Sequence, residues 1–379
     1  MSLHPTINIE AFAQICAQQT DLADYPHAHA VEKNVLIYSG DTLRTAEQNP
    51  FSRLALLQEI AHAFLHGPGV LVVKNAYTDL SILEQQNTVF ESILQQETDL
   101  ENGDHFAKVG ANSRIWNSLQ KSALIDPKGF IDYYKNPILA LLSEAWLGPD
   151  FQMTAQVNIV HPGGEAQSPH RDYHLGFQAH EVLAQYPPHL HPMSAMLTLQ
   201  GAIAHTDMPL ESGPTLLLPY SQQYAQGYLA WRDDAFKDYF AQHHVQLAVE
   251  QCDVIFFNPA LFHAAGSNRT TDFHRSANIL QICSTFGRAM ESVDRYAITV
   301  AIYPQLLTDW KNLSAAEQDA LLSSACEAYS FPTNLNTDPP LGGLAPETHK
   351  ALTRRALEEN WDKGKYGSEI VAHRNKRRA

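Results

Sequence analysis

The sequence predicts a mainly β core with helical additions at both ends. Three observations carry that expectation. From about residue 151 to residue 290, short apolar runs alternate with turn residues. Before and after that stretch, apolar residues recur at three- and four-residue steps. The short strands follow one another closely, which points to a sandwich or barrel rather than to parallel βαβ units. The boundaries read as a helical N-terminal part over 1–150, a β core over 151–290 and a helical C-terminal extension over 291–379, packed as one integrated domain.

Each element has its own signal. A short apolar helix is expected over Ile9–Ala17, within an otherwise polar and turn-rich first 50 residues. Leu54, Leu57, Ile60, Ala61 and Phe64 keep helical spacing across Arg53–His66, and Gly67-Pro68-Gly69 stops that helix. Val70–Val73 then reads as a buried strand, Asp79–Glu97 as a helix, and Pro137–Leu147 as a helix ended by Gly148-Pro149. In the core, Met153–Val160, Ser194–Ala204, Thr215–Leu218, Val245–Val249, Val254–Phe257 and Ser276–Ser284 are expected strands. Ser314–Ala328 and Pro346–Glu359 return to helix, and the basic tail His373–Arg378 reads as a frayed, solvated end. No internal repeat or low-complexity tract is evident.

Composition narrows the function. With 379 residues, 44% hydrophobic and 18% charged, the chain is able to bury a large core, so disorder throughout is excluded. The formal charge is 26 − 41 = −15, which argues against nucleic acid and leaves a small molecule as the expected partner. No apolar run is long enough to span a membrane. Four scattered cysteines form no CxxC pair, and the first residues carry no secretory signal, so a cytoplasmic setting is expected. The oligomeric state leaves no mark in the sequence.

The 19 histidines invite a metal and also supply many false ligands. His170 and Asp172 sit two apart, so in extended backbone they face the same side and offer one ion a nitrogen and an oxygen. A histidine from a later strand would complete a set of two histidines and one carboxylate. Such a set leaves three adjacent positions open and suits ferrous iron that handles oxygen. Spacing alone does not decide, because chance gives roughly one His-x-Asp in such a chain and there are two, at His170 and His205. Asp207, the partner of His205, opens a Pro- and Gly-containing turn, where a carboxylate capping backbone amides is the ordinary explanation. His170 follows a Pro-Gly-Gly turn instead, and it is preferred. His263, at the end of the apolar run Val254–Phe257 and a turn, is the expected third ligand. Arg275 leads a buried strand, where a guanidinium is costly unless it meets an anion. A dicarboxylate whose other end chelates the metal would be that anion, held by a bidentate fork.

Taken in order, His170-x-Asp172, Asp207 through Gly213-Pro214 to Leu218-Pro219, Asp253-x-x-Phe256-Phe257 to His263, Asn268 and Arg275 resemble the phytanoyl-CoA dioxygenase family of Fe(II)- and 2-oxoglutarate-dependent oxygenases. The resemblance covers roughly 150–285. It implies a double-stranded β-helix core (a jelly roll, cupin-like), with Fe(II), 2-oxoglutarate and O2 as cofactor and cosubstrates. It also implies that His170, Asp172 and His263 hold the iron and carry catalysis, that Arg275 grips the distal carboxylate of 2-oxoglutarate, and that Asn158 is a second cosubstrate contact. The expected reaction is hydroxylation of a small molecule, coupled to oxidative decarboxylation of 2-oxoglutarate to succinate and CO2. The presence of Asp172 favours hydroxylation, since related halogenases lack this carboxylate. The chain departs from the family pattern at Leu218–Gln222, where Pro-Gly-Ser-His is usual, and at Cys252, where glycine is common. Ala202 stands where a polar or aromatic cosubstrate contact is frequent, and Thr198 on the same strand is the expected substitute.

Lys108 and Arg114, ahead of the core, are expected to meet an anionic substrate or cosubstrate, against the plainer reading of exposed surface charge. Tyr173 and His174 are expected to line the mouth of the site. The pairs His189/His191, His243/His244 and His27/His29 read as structural. Two other classes stay open on the residues alone: a cupin-like metal-dependent isomerase or hydrolase, which gives Arg275 no cosubstrate, and a non-catalytic binding protein of the same fold.

Overall fold

The structure, a computed structural model, describes residues 5–97 and 111–378. Ten strands form two layers. The strands are β1 (Ala30–Glu32), β2 (Val35–Ser39), β3 (Val70–Lys74), β4 (Asn112–Ile115), β5 (Gln152–Val160), β6 (Thr198–Ala204), β7 (Leu216–Leu218), β8 (Val254–Phe257), β9 (Phe262–Ala264) and β10 (Arg275–Cys283). Eight of them make one sheet in the order β1-β2-β3-β8-β6-β10-β5-β4, antiparallel except where β2 meets β3. The second layer pairs β7 with β9, Leu217 opposite His263. Lone bridges extend it, His170 to His263 on one side and Leu217 to Val245 on the other. Two antiparallel layers around one interior make the double-stranded β-helix.

The period-2 pattern of β6 and β10 explains which face goes where. Leu199, Ile203, Leu280 and Ile282 turn toward the helices and join the main apolar core, together with Met153, Ala155 and Phe256. Gln200, Ala202, Ala204, Ala277, Ile279 and Gln281 turn the other way and line a cavity between the layers. Gly201 stands opposite Phe256, and a Cβ there would come within 2.8 Å of the ring, so glycine is what lets that ring pack on the sheet.

The helices that back the sheet begin as their sequences dictate. Asn49, Asp126 and Asn136 each cap a helix with their side chains, and each is followed by proline at the first helical position. Ser314 and Glu317 form a reciprocal capping box at the head of Ala315–Ala325. Helical residues outnumber strand residues, 46% to 16%, so the additions are larger than the core they support.

Four expectations need correction. The N-terminal part is not helical alone: it supplies β1 to β4 to the main sheet. Ser194 does not begin a strand, because the run Leu190–Met196 is helical and the strand starts at Thr198. Short apolar runs fit either form, and here Trp146 settles the junction by donating to both Ala195 O and Thr198 O. Val245 and Val249 make isolated bridges rather than a continuous strand. The basic tail is ordered as the helix Lys363–Lys376, held by a buried His373 and by the ion pair of Arg374 with Asp294.

Candidate metal and cosubstrate site

His170 and His263 face each other across a two-way backbone bridge, with N to O distances of 3.0 and 3.2 Å. Each ring leans on its own backbone: His170 Nδ1 lies 2.8 Å from Ser168 O, and His263 Nδ1 lies 2.9 Å from Leu261 O. A carbonyl accepts only from N–H, so both Nδ1 atoms carry the proton and both Nε2 lone pairs point inward. Asp172 lies between them, with Oδ1 3.6 Å from His170 Nε2 and Oδ2 3.4 Å from His263 Nε2. All three residues are buried, and their ligand atoms lie within 4.8 Å of one another. The electrostatics suit a cation. Burial alone would raise the Asp172 carboxyl, but positive charge on the His170 and His263 rings, together with a bond from Gln200, outweighs it and lowers it to about 2, so an ion on the triad takes the place of those protons. Burial pushes His170 down, which keeps the imidazole neutral and available.

Arg171, between the two ligands, points the other way. Its guanidinium donates to Ser221 O and Tyr224 O and lies over the rings of Tyr228 and Phe262, at 5.2 and 5.3 Å. A Cβ on Gly227 would fall 1.9 Å from its Cζ, so glycine is required beneath it. The arginine thereby anchors the segment that presents both ligands.

Arg275 opens β10 on the cavity face, six residues before Gln281 and roughly 20 Å along the strand from it. It is 7% exposed, and among the described residues no acceptor meets its guanidinium. Burial lowers it to about 10, with no anion among the described residues to offset the cost. Asn158, opposite Ala277 on β5, lines the same cavity and accepts from Asn112 Nδ2 at 3.0 Å. A buried guanidinium without a counter-ion, in one cavity with an inward-facing His-Asp-His set, fits a keto-dicarboxylate bound between them and a divalent ion on the triad.

The structure thus brings His170, Asp172, His263, Asn158, Arg114 and Arg275 to one cavity of about 710 Å³. It does not bring Thr198 there. That residue pairs with Cys283 at the far end of the strands, and its hydroxyl donates to Ser194 O. Tyr173 and His174 also miss the cavity wall. Tyr173 takes a positive φ of 45° that turns its ring inward, and His174 is drawn to Arg288 O at 3.0 Å, leaving Gly176, Phe177 and Gln178 to form the rim. Lys108 lies outside the described residues. His205 is a satisfied core histidine, with Tyr133 Oη at 2.6 Å and Asn87 Oδ1 at 2.7 Å. Asp207 accepts from Gln251 N, a backbone amide outside the turn that Asp207 opens.

Sequence reasoning missed Gln156, Gln200, Gln281, Trp116, Trp231, Arg232 and Met290, all of which line the cavity. The glutamines had a signal. They are the polar residues at alternate, inward positions of strands that are otherwise apolar.

A jelly-roll layer pair with a buried His-Asp-His cluster inside it defines a metal-site protein of the double-stranded β-helix class. The family model described as Phytanoyl-CoA dioxygenase (PhyH) matches residues 65–277, more than half of the chain, and the protein belongs to that family of iron- and 2-oxoglutarate-dependent enzymes. Among solved structures, the chain is similar to the non-heme alpha ketoglutarate dependent epimerase SnoN from nogalamycin biosynthesis, at 15% identity and TM-score 0.41 over 61% of this chain and 84% of that one. SnoN in complex with Fe3+, alpha ketoglutarate and nogalamycin RO gives 14% and 0.43, over 61% and 85%. The non-heme alpha ketoglutarate dependent carbocyclase SnoK from the same biosynthesis gives 20% and 0.45, over 59% and 83%. The search of curated proteins found no match. Among the described residues, no helix is long and apolar enough to cross a membrane.

Proposed function

We propose that the protein is a dioxygenase that hydroxylates a small molecule, using Fe(II), 2-oxoglutarate and O2 and releasing succinate and CO2. His170, Asp172 and His263 hold the iron, and Arg275 and Asn158 seat the cosubstrate. The observation that carries this reading is Arg275: a buried guanidinium, without an acceptor among the described residues, on the cavity face that holds the triad.

When bound, the ion and keto acid supply the oxidising chemistry that breaks a C–H bond. The chain's own residues supply position and dryness. Two neutral imidazoles and one carboxylate cancel only one of the ion's two charges, which leaves it attractive to an anionic chelator. Arg275 fixes the far carboxylate and so sets which way the keto-acid end points. Gln200, donating to Asp172, holds that carboxylate in orientation and leaves its remaining lone pairs for the ion. Ala277, Ile279, Ile255 and Phe257 exclude water between the two charged ends.

The test is anaerobic titration of the Fe(II)-loaded protein with 2-oxoglutarate, followed by succinate measurement in air. Saturable binding with a visible charge-transfer band, and succinate formed even without substrate, are expected. No binding and no succinate would overturn the reading. Succinate without any hydroxylated product across a metabolite screen would retain the cosubstrate chemistry and remove the hydroxylase.

A further inference from the structure

The outer end of the cavity carries donors that the chemistry above does not use. Arg232 lies over the ring of Trp231 with its Cζ 3.8 Å from the ring centroid, and both residues line the cavity. One guanidinium nitrogen, Nη2, donates to Gln178 O at 2.7 Å and Gly176 O at 3.4 Å, which ties the stack to the rim. The other nitrogen, Nη1, is buried with no acceptor among the described residues, and so is the indole Nε1 of Trp231. Two orphaned N–H donors on neighbouring, stacked planes are costly to bury unless a ligand accepts from them. The nearby carboxylate of Glu181 acts on Arg232 but forms no ion pair with it. Phe177, Trp116 and Met290 line the same cavity, with the guanidinium of Arg114 over the Trp116 ring at 5.0 Å.

We propose that this end is an organic-anion site, in which Trp231 Nε1–H and Arg232 Nη1–H donate to an oxyanion on a substrate with a flat apolar body. The proposal rests on the function proposed above, for which it names a substrate class. A chain with net charge −15 repels anions at long range, so a local cationic, indole-lined rim is what selects one. The stacked indole holds the guanidinium plane still, which lowers the ordering cost of binding.

A matched pair of fluorescent probes tests this on the full chain, with or without metal. The probes are 8-anilinonaphthalene-1-sulfonate and its uncharged counterpart N-phenyl-1-naphthylamine. The sulfonate is expected to bind at one site at least about tenfold more tightly than the amine, the effect of one charge-assisted donor pair. Arg232→Gln and Trp231→Phe are each expected to lose about tenfold for the sulfonate and little for the amine. Arg232→Lys, which keeps the charge without the planar fork, is expected to fall between wild type and Arg232→Gln. Thermal melts check that each variant folds. Equal affinity for the two probes, wild-type sulfonate binding in both Arg232→Gln and Trp231→Phe, or a sulfonate site lost only in Arg275→Met, overturns the proposal. Titration with 2-oxoglutarate reads the deep end separately: its failure sinks the proposed function, whereas the probe comparison sinks only the anion site.

Discussion

The two ends of the cavity are built differently. At the deep end stands one guanidinium, Arg275, fully committed by its place at the start of β10 and surrounded by small or apolar side chains such as Ala277, Ala204 and Met208. At the outer end stand amides and indoles: Gln156, Gln200 and Gln281 toward the metal, then Trp116, Trp231 and Arg232 at the rim. One end suits a small ligand of fixed charge and length. The other offers several hydrogen-bond geometries over a wide opening. A shared sheet explains how both can coexist. Strands β5 and β10 carry Asn158 and Arg275, β9 carries His263 and the bridged segment 170–172 carries the other two ligands, while the loop 173–179 and the segment 227–232 shape the rest.

The comparison breaks most visibly at the metal that joins the two ends. Asp172→Ala and His263→Ala are each expected to lower Fe(II) affinity and succinate formation by at least about a thousandfold, because two ligands leave the ion no closed facial set. Metal content after equilibrium dialysis checks this. Retained iron in both variants would show that the ion is held elsewhere.

Arg275→Met sharpens the contrast, since it should move two readings in opposite directions. The affinity for 2-oxoglutarate is expected to fall by about a hundredfold or more, the cost of a lost bidentate pair. Without cosubstrate the same variant is expected to be more stable by ~1–3 kcal/mol, because an unpaired buried charge is replaced by an apolar chain of similar length. Urea melts with and without 2-oxoglutarate read both effects. If the variant is less stable in the absence of ligand, Arg275 has a protein partner after all.

Gln200→Leu tests the boundary between the ends. It removes the bond to Asp172 and leaves the ligands in place, so metal affinity is expected to fall by ~10- to 100-fold. An unchanged metal affinity would assign Gln200 to the substrate side alone, where its Oε1 has no partner among the described residues.

The deep end was legible in the sequence and the outer end was not. His170, Asp172, His263 and Arg275 are read from residue type, alternation and order along short strands, and these are local properties. Thr198 was misplaced because alternation gives the face of a strand but not the distance along it. It shares a face with Gln200 and Ala202, yet it lies beyond them at the level of Cys283. Tyr173 and His174 were misplaced because a single left-handed residue reverses which neighbours reach the rim, and a tyrosine gives no sign that it adopts that conformation. The stack of Trp231 on Arg232 follows a four-residue helix, Gly227–Ala230, too short to show periodicity. β1 and β2 lie within the turn-rich first 50 residues, and only the pairing of β1 with β2 and of β2 with β3 makes them strands. The tail was read as solvated because its charges are visible in sequence and their partners, Asp294 and Asp338, are not.

The smallest expected effect concerns Glu291, next to Met290 in the outer wall. Burial raises its carboxyl to about 7, against the N–H of Asn117 at 2.6 Å and the charges of Lys121 and Arg114, which pull it down. Its second oxygen is buried with no partner among the described residues. An acid whose pKa is raised on folding binds more protons in the folded state. Stability from this group is therefore greatest below its unfolded value and declines as pH climbs from about 4.5 to about 7. Asp172 works in the opposite sense, but its window lies lower, between the usual carboxylate range and about 2, so the two do not overlap. Residual solvent contact reduces the size of the Glu291 effect, leaving ~2 kcal/mol across the window. Glu291→Gln keeps the shape and removes the titration, so its urea midpoint is expected to stay level where the wild-type midpoint falls. Parallel curves for the two proteins would mean that Glu291 is already ionised in the folded chain, and the outer wall would then carry one more negative charge against any anionic ligand.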